Sequence, residues 1–294
     1  MPSSRWAIKR LHGGLRAWSS ARTGSTTTEV SVFSERTFFS FVSLADPRGH
    51  RAYNEWHQLD HRPENLLLPG VAWGDRWART EACAQAGEAA AGVPAPEFAD
   101  VDYMAMYWFR EPYDESLAEW NKLAEDSFQW GRGPIIPGVS RPLLAYFVPV
   151  RGYAAPRVRV SPEALVFRPN RGLHVTLTEL SEPYSPEAHA QFEWLDTTGI
   201  PDLLTVPGVA GAWTFSFRAL QEHPTLPLTA GERRAPGSLR IRLLYLDDDP
   251  EQVTAAIAER TKEWEAAGRG APAPAAERVL ISTPLRTITP WQDW

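Results

Sequence analysis

The stretch EWHQLDHRPENLLLPGVA, Glu55 to Ala72, returns in altered form as EWLDTTGIPDLLTVPGVA, Glu193 to Ala210. Glu55, Trp56, Pro63, Pro69, Gly70, Val71 and Ala72 each meet an identical residue at one constant offset of 138. Carried further, the same offset sets Tyr107 on Tyr245 and Pro112 on Pro250. A repeat of this kind constrains architecture strongly, because each copy is one folding unit with its own hydrophobic face to bury. Residues kept in both copies read as fold. Residues found only in the first read as candidates for function.

Hydrophobic periodicity gives the same element order in each copy. RTFFSFVSL (Arg36 to Leu44) alternates bulky apolar and small residues as a half-buried strand does. A helix is predicted from Arg51 to Leu68, broken near Pro63, and a strand from Val71 to Thr80 after the Leu68-Pro69-Gly70 turn. A Gly/Ala/Pro-rich loop leads to a strand at VDYMAMYWF, a helix from Asp114 to Trp130 and a closing strand at RPLLAYFVPV. The second copy repeats this with GLHVTLTEL, a helix from Ser185 to Leu204, Val209 to Leu220, SLRIRLLYL, a helix from Pro250 to Ala267 and RVLISTPLRTI.

The predicted class is therefore α+β, two tandem ferredoxin-like βαββαβ repeats. Each such sheet carries helices on one face and leaves the other bare, so the two are expected to pack sheet to sheet as a pseudo-dimer. The divisions are a basic disordered extension over 1–34, a first repeat over 35–150, a linker over 151–170 with a short strand at Val158 to Val160, and a second repeat over 171–294.

Charge and cysteine content exclude several classes. The net charge is −6, yet the first 28 residues hold five basic residues and no acid, so the rest carries 25 basic against 36 acidic side chains. A body that acidic repels phosphate backbones, and no nucleic-acid partner is expected. No apolar run approaches the roughly 18 residues of a membrane span. The single Cys83 allows no internal disulfide, structural thiolate zinc site or CxxC pair, which points to a reducing cytoplasm. The acid-free, Ser/Thr-rich start looks superficially like a transit peptide, and reads in preference as a disordered extension or an over-called start site. GxSxG, a phosphate-binding glycine loop and GxGxxG are absent.

The run EWHQLDHRPENLLLPGVAWGDRW resembles the helix–turn–strand signature of dimeric α/β-barrel proteins, specifically the EthD-domain group. The residues that carry the resemblance are Trp56, His61, Pro63, Glu64, Pro69, Gly70, Arg76 and Trp77; Arg62 stands where the family has an aliphatic residue, and His57 where it often has Tyr. The first copy matches in detail and the second in framework. What the resemblance implies is that the two repeats pack sheet to sheet as an intrachain dimeric α/β-barrel, with cofactor-free acid–base chemistry on small aromatic or polyketide-like carbonyl compounds, of cyclase, decarboxylase or dehydratase type. Cofactor-free monooxygenation and non-catalytic binding of a hydrophobic ligand are the other classes it leaves open. The expected partner is a small hydrophobic organic molecule, with room for a homodimer of pseudo-dimers, and no cofactor. Haem-binding relatives of this barrel use a proximal His, for which His174 or His189 would stand, without support from their surroundings.

His61 is the leading catalytic candidate. Gly199 takes its place in the second copy, so the framework does not demand an imidazole there, and a histidine titrates near neutral pH. Its other reading is a residue packing the end of the helix. His57, four residues earlier, shares its helix face and is expected to tune it; an HxxxH pair with no third ligand predicts no metal site. Arg76, replaced by Thr214 in the second copy, is assigned to an oxyanion or to a salt bridge with Asp75 or Asp60. Asp60 and Glu64 flank His61 and are candidates for orienting it. Tyr103 and Trp108 are expected to pack the substrate. His174 shares a strand face with Thr176 and Thr178, and if the apolar side met the helices this trio would look, with Ser40, into the space between the sheets.

Overall fold

The computed structural model describes residues 34–87, 95–132, 136–222, 234–272 and 277–291. The basic start lies outside them. Ser34, placed in the extension by sequence, is buried, and its hydroxyl donates to Phe109 O at 2.6 Å.

Among the described residues eight strands form: β1 (Thr37–Leu44), β2 (Val71–Ala78), β3 (Tyr103–Phe109), β4 (Val139–Ala154), β5 (Gly172–Leu180), β6 (Val209–Leu220), β7 (Leu239–Leu246) and β8 (Glu277–Thr287). The helices are α1 (Gly49–Trp56), α2 (Arg62–Leu67), α3 (Glu81–Ala86), α4 (Tyr113–Gln129), α5 (Pro162–Leu165), α6 (Pro186–Trp194), α7 (Ile200–Leu203) and α8 (Pro250–Ala266). The strands close into one barrel in the order β1-β3-β2-β8-β5-β7-β6-β4, with every neighbouring pair antiparallel.

The two sheets expected to pack together are thus one sheet closed on itself, a barrel as the resemblance implies. The long seam is β4 with β6, from Ala145 opposite Leu220 to Ala154 opposite Gly211. β2 and β8 meet only at Trp77 opposite Thr287 and Ala78 opposite Arg286. The long seam exists because β4 runs on through Arg151 to Ala154, residues that read as linker. The strand expected at Val158 to Val160 is instead a tight turn, Pro156–Val158, followed by α5.

Alternation along each strand separates an inner wall from an outer one. Inside lie Phe39, Phe41, Trp77, Met104, Met106, Trp108, Phe147, Leu173, Val175, Leu177, Trp213 and Phe215, all buried. Trp108 and Trp213 meet edge to face at 5.1 Å, and Phe39 and Phe215 at 4.9 Å. An eight-stranded barrel is just wide enough for side chains to fill, so this interior is a packed core. Outside, Trp120 of α4 packs on Phe38, Tyr107 and Phe109, and Val253, Ile257 and Trp264 of α8 pack with Leu244 and Leu246. Any room for a ligand must therefore lie between wall and helices.

The paired offset of 138 holds through β2 and β6, where both strands carry an irregularity at the same point, Val71/Trp73 and Val209/Gly211. It does not survive to the next strand. Gly74 pairs with Tyr107 while Ala212 pairs with Leu244, so the structural counterpart of Tyr107 is Leu244, at an offset of 137. Tyr107 faces outward onto Trp120, and Tyr245 faces the barrel interior. Likewise Pro112 caps α4 from outside whereas Pro250 is the first residue of α8. The apparent conservation of these tyrosines and prolines is a coincidence of letters.

The break expected near Pro63 takes a defined form. Between α1 and α2 the chain makes one wide π turn, His57–His61, in which Arg62 N–H bonds to His57 O; the second half makes the same turn at Leu195–Gly199. Pro63 and Pro201 follow at once and lack the N–H that an α-helical continuation would use.

Candidate functional site

In the first half, α1 and its π turn lie on the outer face of β2 and β3 and bring together His57, His61, Arg76 and Tyr103. His57 is buried and packs 5.2 Å from the His61 ring; burial, then the charges of Arg76, His61 and Arg62, hold its pKa well below 6.5. His61 is half-buried and stacks on Trp56 at 4.5 Å. Asn65 Nδ2 donates to its Nε2 at 3.0 Å, which assigns the ring proton to Nδ1. Burial, followed by the charge of Arg141, lowers its pKa to about 4. Both imidazoles are neutral at pH 7.

Arg76 is 1% exposed. Its guanidinium carbon lies 4.3 Å from the Tyr103 ring centre and 4.8 Å from that of Tyr53. The Tyr103 hydroxyl accepts from Asn54 Nδ2 at 3.1 Å and lies 2.8 Å from His50 Nδ1. The carboxylates assigned to this cluster by sequence are committed elsewhere. Asp60 and Glu64 both bind Arg132, at 2.9 and 3.0 Å, and neither orients His61. Asp75 takes the Arg76 backbone N–H and faces the Arg62 side chain at 3.3 Å. Among the described residues no group of three His, Cys, Asp or Glu side chains gathers where a metal ion could bind.

Three other residues lie apart from this cluster. Trp108 sits in the barrel core. His174, Thr176 and Thr178 line the outer wall, facing helices, because Leu173, Val175 and Leu177 take the dry interior. Ser40 is buried on the outer face of β1, opposite Ala105, and is the first-half counterpart of Thr176, opposite Arg242. It therefore shares no site with His174.

His174 opens instead onto a cavity of about 620 Å³ between the outer wall of the second half and α6, its π turn and α8. Phe192, Trp194, Leu195, Ile257 and Trp264 supply apolar walls, and Arg240 and Arg242 enter from β7. The structural counterparts here of His57, Arg76 and Tyr103 are Leu195, Thr214 and Arg240. Gly199 replaces His61 for a visible reason, since a Cβ there would lie 2.5 Å from the Trp194 ring.

The polar groups around this cavity are distinctive. Arg242 Nη2 donates to Thr176 Oγ1 at 3.1 Å, and the Arg240 guanidinium stacks 4.0 Å from the Phe192 ring centre. His174 is buried, its Nδ1 has no hydrogen-bond partner among the described residues, and burial with Arg242 nearby lowers its pKa to about 3. Three carboxylates share the lining, Asp196, Glu265 and Glu277; Asp196 accepts from Tyr153 Oη at 2.5 Å and lies 3.7 Å from Arg151, and Glu277 accepts from Gln191 Nε2. Periodicity in SLRIRLLYL already puts both arginines on one strand face. They escape notice in the sequence because a filter for residues exclusive to the first copy discards them.

A larger opening of about 1010 Å³ is lined by Arg79, Phe98, Asp102, Ser140 and Arg234, and three of its charged groups are engaged. Arg79 donates to Ala99 O, Asp102 accepts from Leu44 N, and Arg234 pairs with Glu179.

Neither a family model nor a curated protein matches this sequence. Among solved structures, an anthrone oxidase-like protein is 12% identical over 87% of this chain and 92% of its own, with a TM-score of 0.47. A candidate monooxygenase of Fusobacterium nucleatum is 9% identical over 88% and 94%, with a TM-score of 0.49. A dye-decolorizing protein from V. cholerae is 10% identical over 86% and 94%, with a TM-score of 0.44. These likenesses are weak, and the architecture rests on the strand order and register of the chain itself. No helix among the described residues is long and apolar enough to cross a membrane.

Proposed function

We propose that this chain is an intrachain dimeric α/β-barrel of two tandem ferredoxin-like repeats, and that its second half binds a small organic anion with an apolar, aromatic body. The observation that carries the reading is the entry of Arg240 and Arg242 into a cavity walled by Phe192, Trp194 and Trp264. Ligand cavities combine mostly apolar walls with a few convergent polar groups in this way. A carboxylate set between the two guanidinium groups gains charge-assisted hydrogen bonds, and the aromatic walls take its body. Of the three carboxylates on the lining, Asp196 is engaged by Tyr153 and Arg151 and Glu277 by Gln191. His174, neutral, offers a hydrogen bond without adding charge.

Calorimetric titration with 2-naphthoate and with its uncharged methyl ester tests this. The acid is expected to bind one per chain and the ester at least about tenfold more weakly, the size of one lost charge-assisted hydrogen bond. Equal binding of both, or none of either, overturns the reading.

A second reading keeps the chemistry in the first half, as a cofactor-independent acid–base enzyme on a small carbonyl compound. The convergence of His57, His61, Arg76 and Tyr103 favours it, with His61 as the proton carrier, His57 tuning it and Arg76 holding an oxyanion. His61→Ala would then lower turnover by about a hundredfold or more with the fold intact. Oxygen consumed in step with substrate would move the assignment to a monooxygenase.

A further inference from the structure

Arg76 is a more severe anomaly than a catalytic role by itself explains. A guanidinium is charged at any physiological pH, and taking such a charge out of water is costly unless a partner compensates it. Nε, Nη1 and Nη2 of Arg76 are all buried, and none has a hydrogen-bond partner among the described residues. Tyr53 and Tyr103 present ring faces to it, which favours the charge but accepts none of its N–H groups in hydrogen bonds of ordinary strength.

The groups around it leave its charge only partly compensated. From α1 and the π turn come Tyr53, His57 and His61, and both imidazoles are neutral. From β3 come Tyr103 and Tyr107, whose phenols burial holds in the protonated form. Asp75, the neighbouring residue on β2, has its carboxylate within 3.3 Å of Arg62, so its charge is shared with a second arginine. One net positive charge remains, buried against the helix. A further polar atom in this layer, His57 Nδ1, is also buried without a partner among the described residues.

We propose that Arg76 is the seat of a small planar oxyanion, a carboxylate or bicarbonate group of a few atoms, held between α1 with its π turn and the outer face of β2 and β3. The guanidinium fork matches two oxygens of such a group, and His57 Nδ1–H is available as a further donor. The close packing of α1 restricts the occupant to the size of formate, acetate or bicarbonate. The second half has Thr214 at the same place, so the site belongs to the first half alone. It requires neither the ligand of the second-half cavity nor catalysis at His61.

The test uses the full chain with formate as probe, at constant ionic strength balanced with chloride. An ion that binds only the folded state raises its stability by mass action. Because formate would also enter the cavity between Arg240 and Arg242, the comparison is made in chains that carry Arg240→Ala/Arg242→Ala. The melting temperature of this double variant is expected to rise with formate concentration, and that of the same variant with Arg76→Met added to stay flat. Should the Arg76→Met protein not fold, line broadening of ¹³C-formate is compared between the double variant and the same variant with Arg76→Lys added, which retains the charge without the fork. Saturable broadening, with affinity about tenfold or more weaker with Arg76→Lys, supports the proposal. No formate effect on the double variant means that water alone occupies the site and overturns it. A formate effect that persists with Arg76→Met also overturns it.

Discussion

A chain carrying Gly172→Val is expected not to close its barrel. Gly172 opens β5, where it pairs with Leu246 of β7 on one side and Arg286 of β8 on the other. A Cβ at this position would stand 2.1 Å from the carbonyl oxygen of Leu285 and 2.6 Å from Pro250 Cγ. The first obstacle is backbone, which cannot swing aside as a side chain can. Relief requires β8 to move away from β5, and with it the short β2–β8 seam that completes the ring. Strain of this kind belongs with substitutions that cost more than about 4 kcal/mol, out of the roughly 5–15 kcal/mol that separates folded from unfolded states. Loss of the near-ultraviolet circular dichroism signal, or insoluble expression, is the expected result. Gly270→Ala is the control, because nothing lies within 4 Å of its Cβ position. A Gly172→Val protein melting like wild type would refute the β5–β8 register.

The largest functional effect is expected from removing both cavity arginines. Hydrogen bonds to charged partners contribute about 1.5–3 kcal/mol each, so Arg240→Ala and Arg242→Ala should each weaken 2-naphthoate binding by about tenfold to a hundredfold. The double variant should lose more than either single one, though less than their product, because the residues share one ligand. Folding is not the expected casualty. Arg240 contacts the Phe192 ring and Arg242 the Thr176 hydroxyl, and both lie on the wall facing the cavity, away from the aromatic core. Calorimetry and circular dichroism on the same preparations separate the two effects. Undiminished affinity in the double variant would show that the anion is held elsewhere.

Much of the fold was legible in sequence, and the limits have physical causes. Strand and helix order followed from alternation and from the repeated helix–turn–strand. The family resemblance carried the barrel as well, but not its long seam, which depends on Arg151 to Ala154, whose composition resembles a linker, pairing with β6 some sixty residues away. The slip between β2/β6 and β3/β7 was invisible for a related reason. Identical letters at 107 and 245 say nothing of which wall a side chain faces, and a shift of one residue exchanges the walls.

The placement of His174 shows the same limit. Alternation correctly grouped it with Thr176 and Thr178, but both walls of a helix-covered barrel are buried, so periodicity could not say which wall the group occupied. Residues of the first-half cluster were legible because the copies differ there. The cavity was not, since Thr214 stands on its wall where the first half has the far larger Arg76, and a missing side chain leaves no motif.

The central claim is that the second-half cavity takes an organic anion, and filling that cavity tests it most directly. Thr214 faces the cavity from β6, opposite Arg242 of β7, so Thr214→Phe places a ring in the space while leaving both arginines present. Titration of this variant with 2-naphthoate, beside a thermal melt, is the decisive measurement. Saturable binding to wild type is predicted, and none to Thr214→Phe at the same concentrations, with the variant still folded. Wild-type affinity in a folded Thr214→Phe protein would contradict the claim.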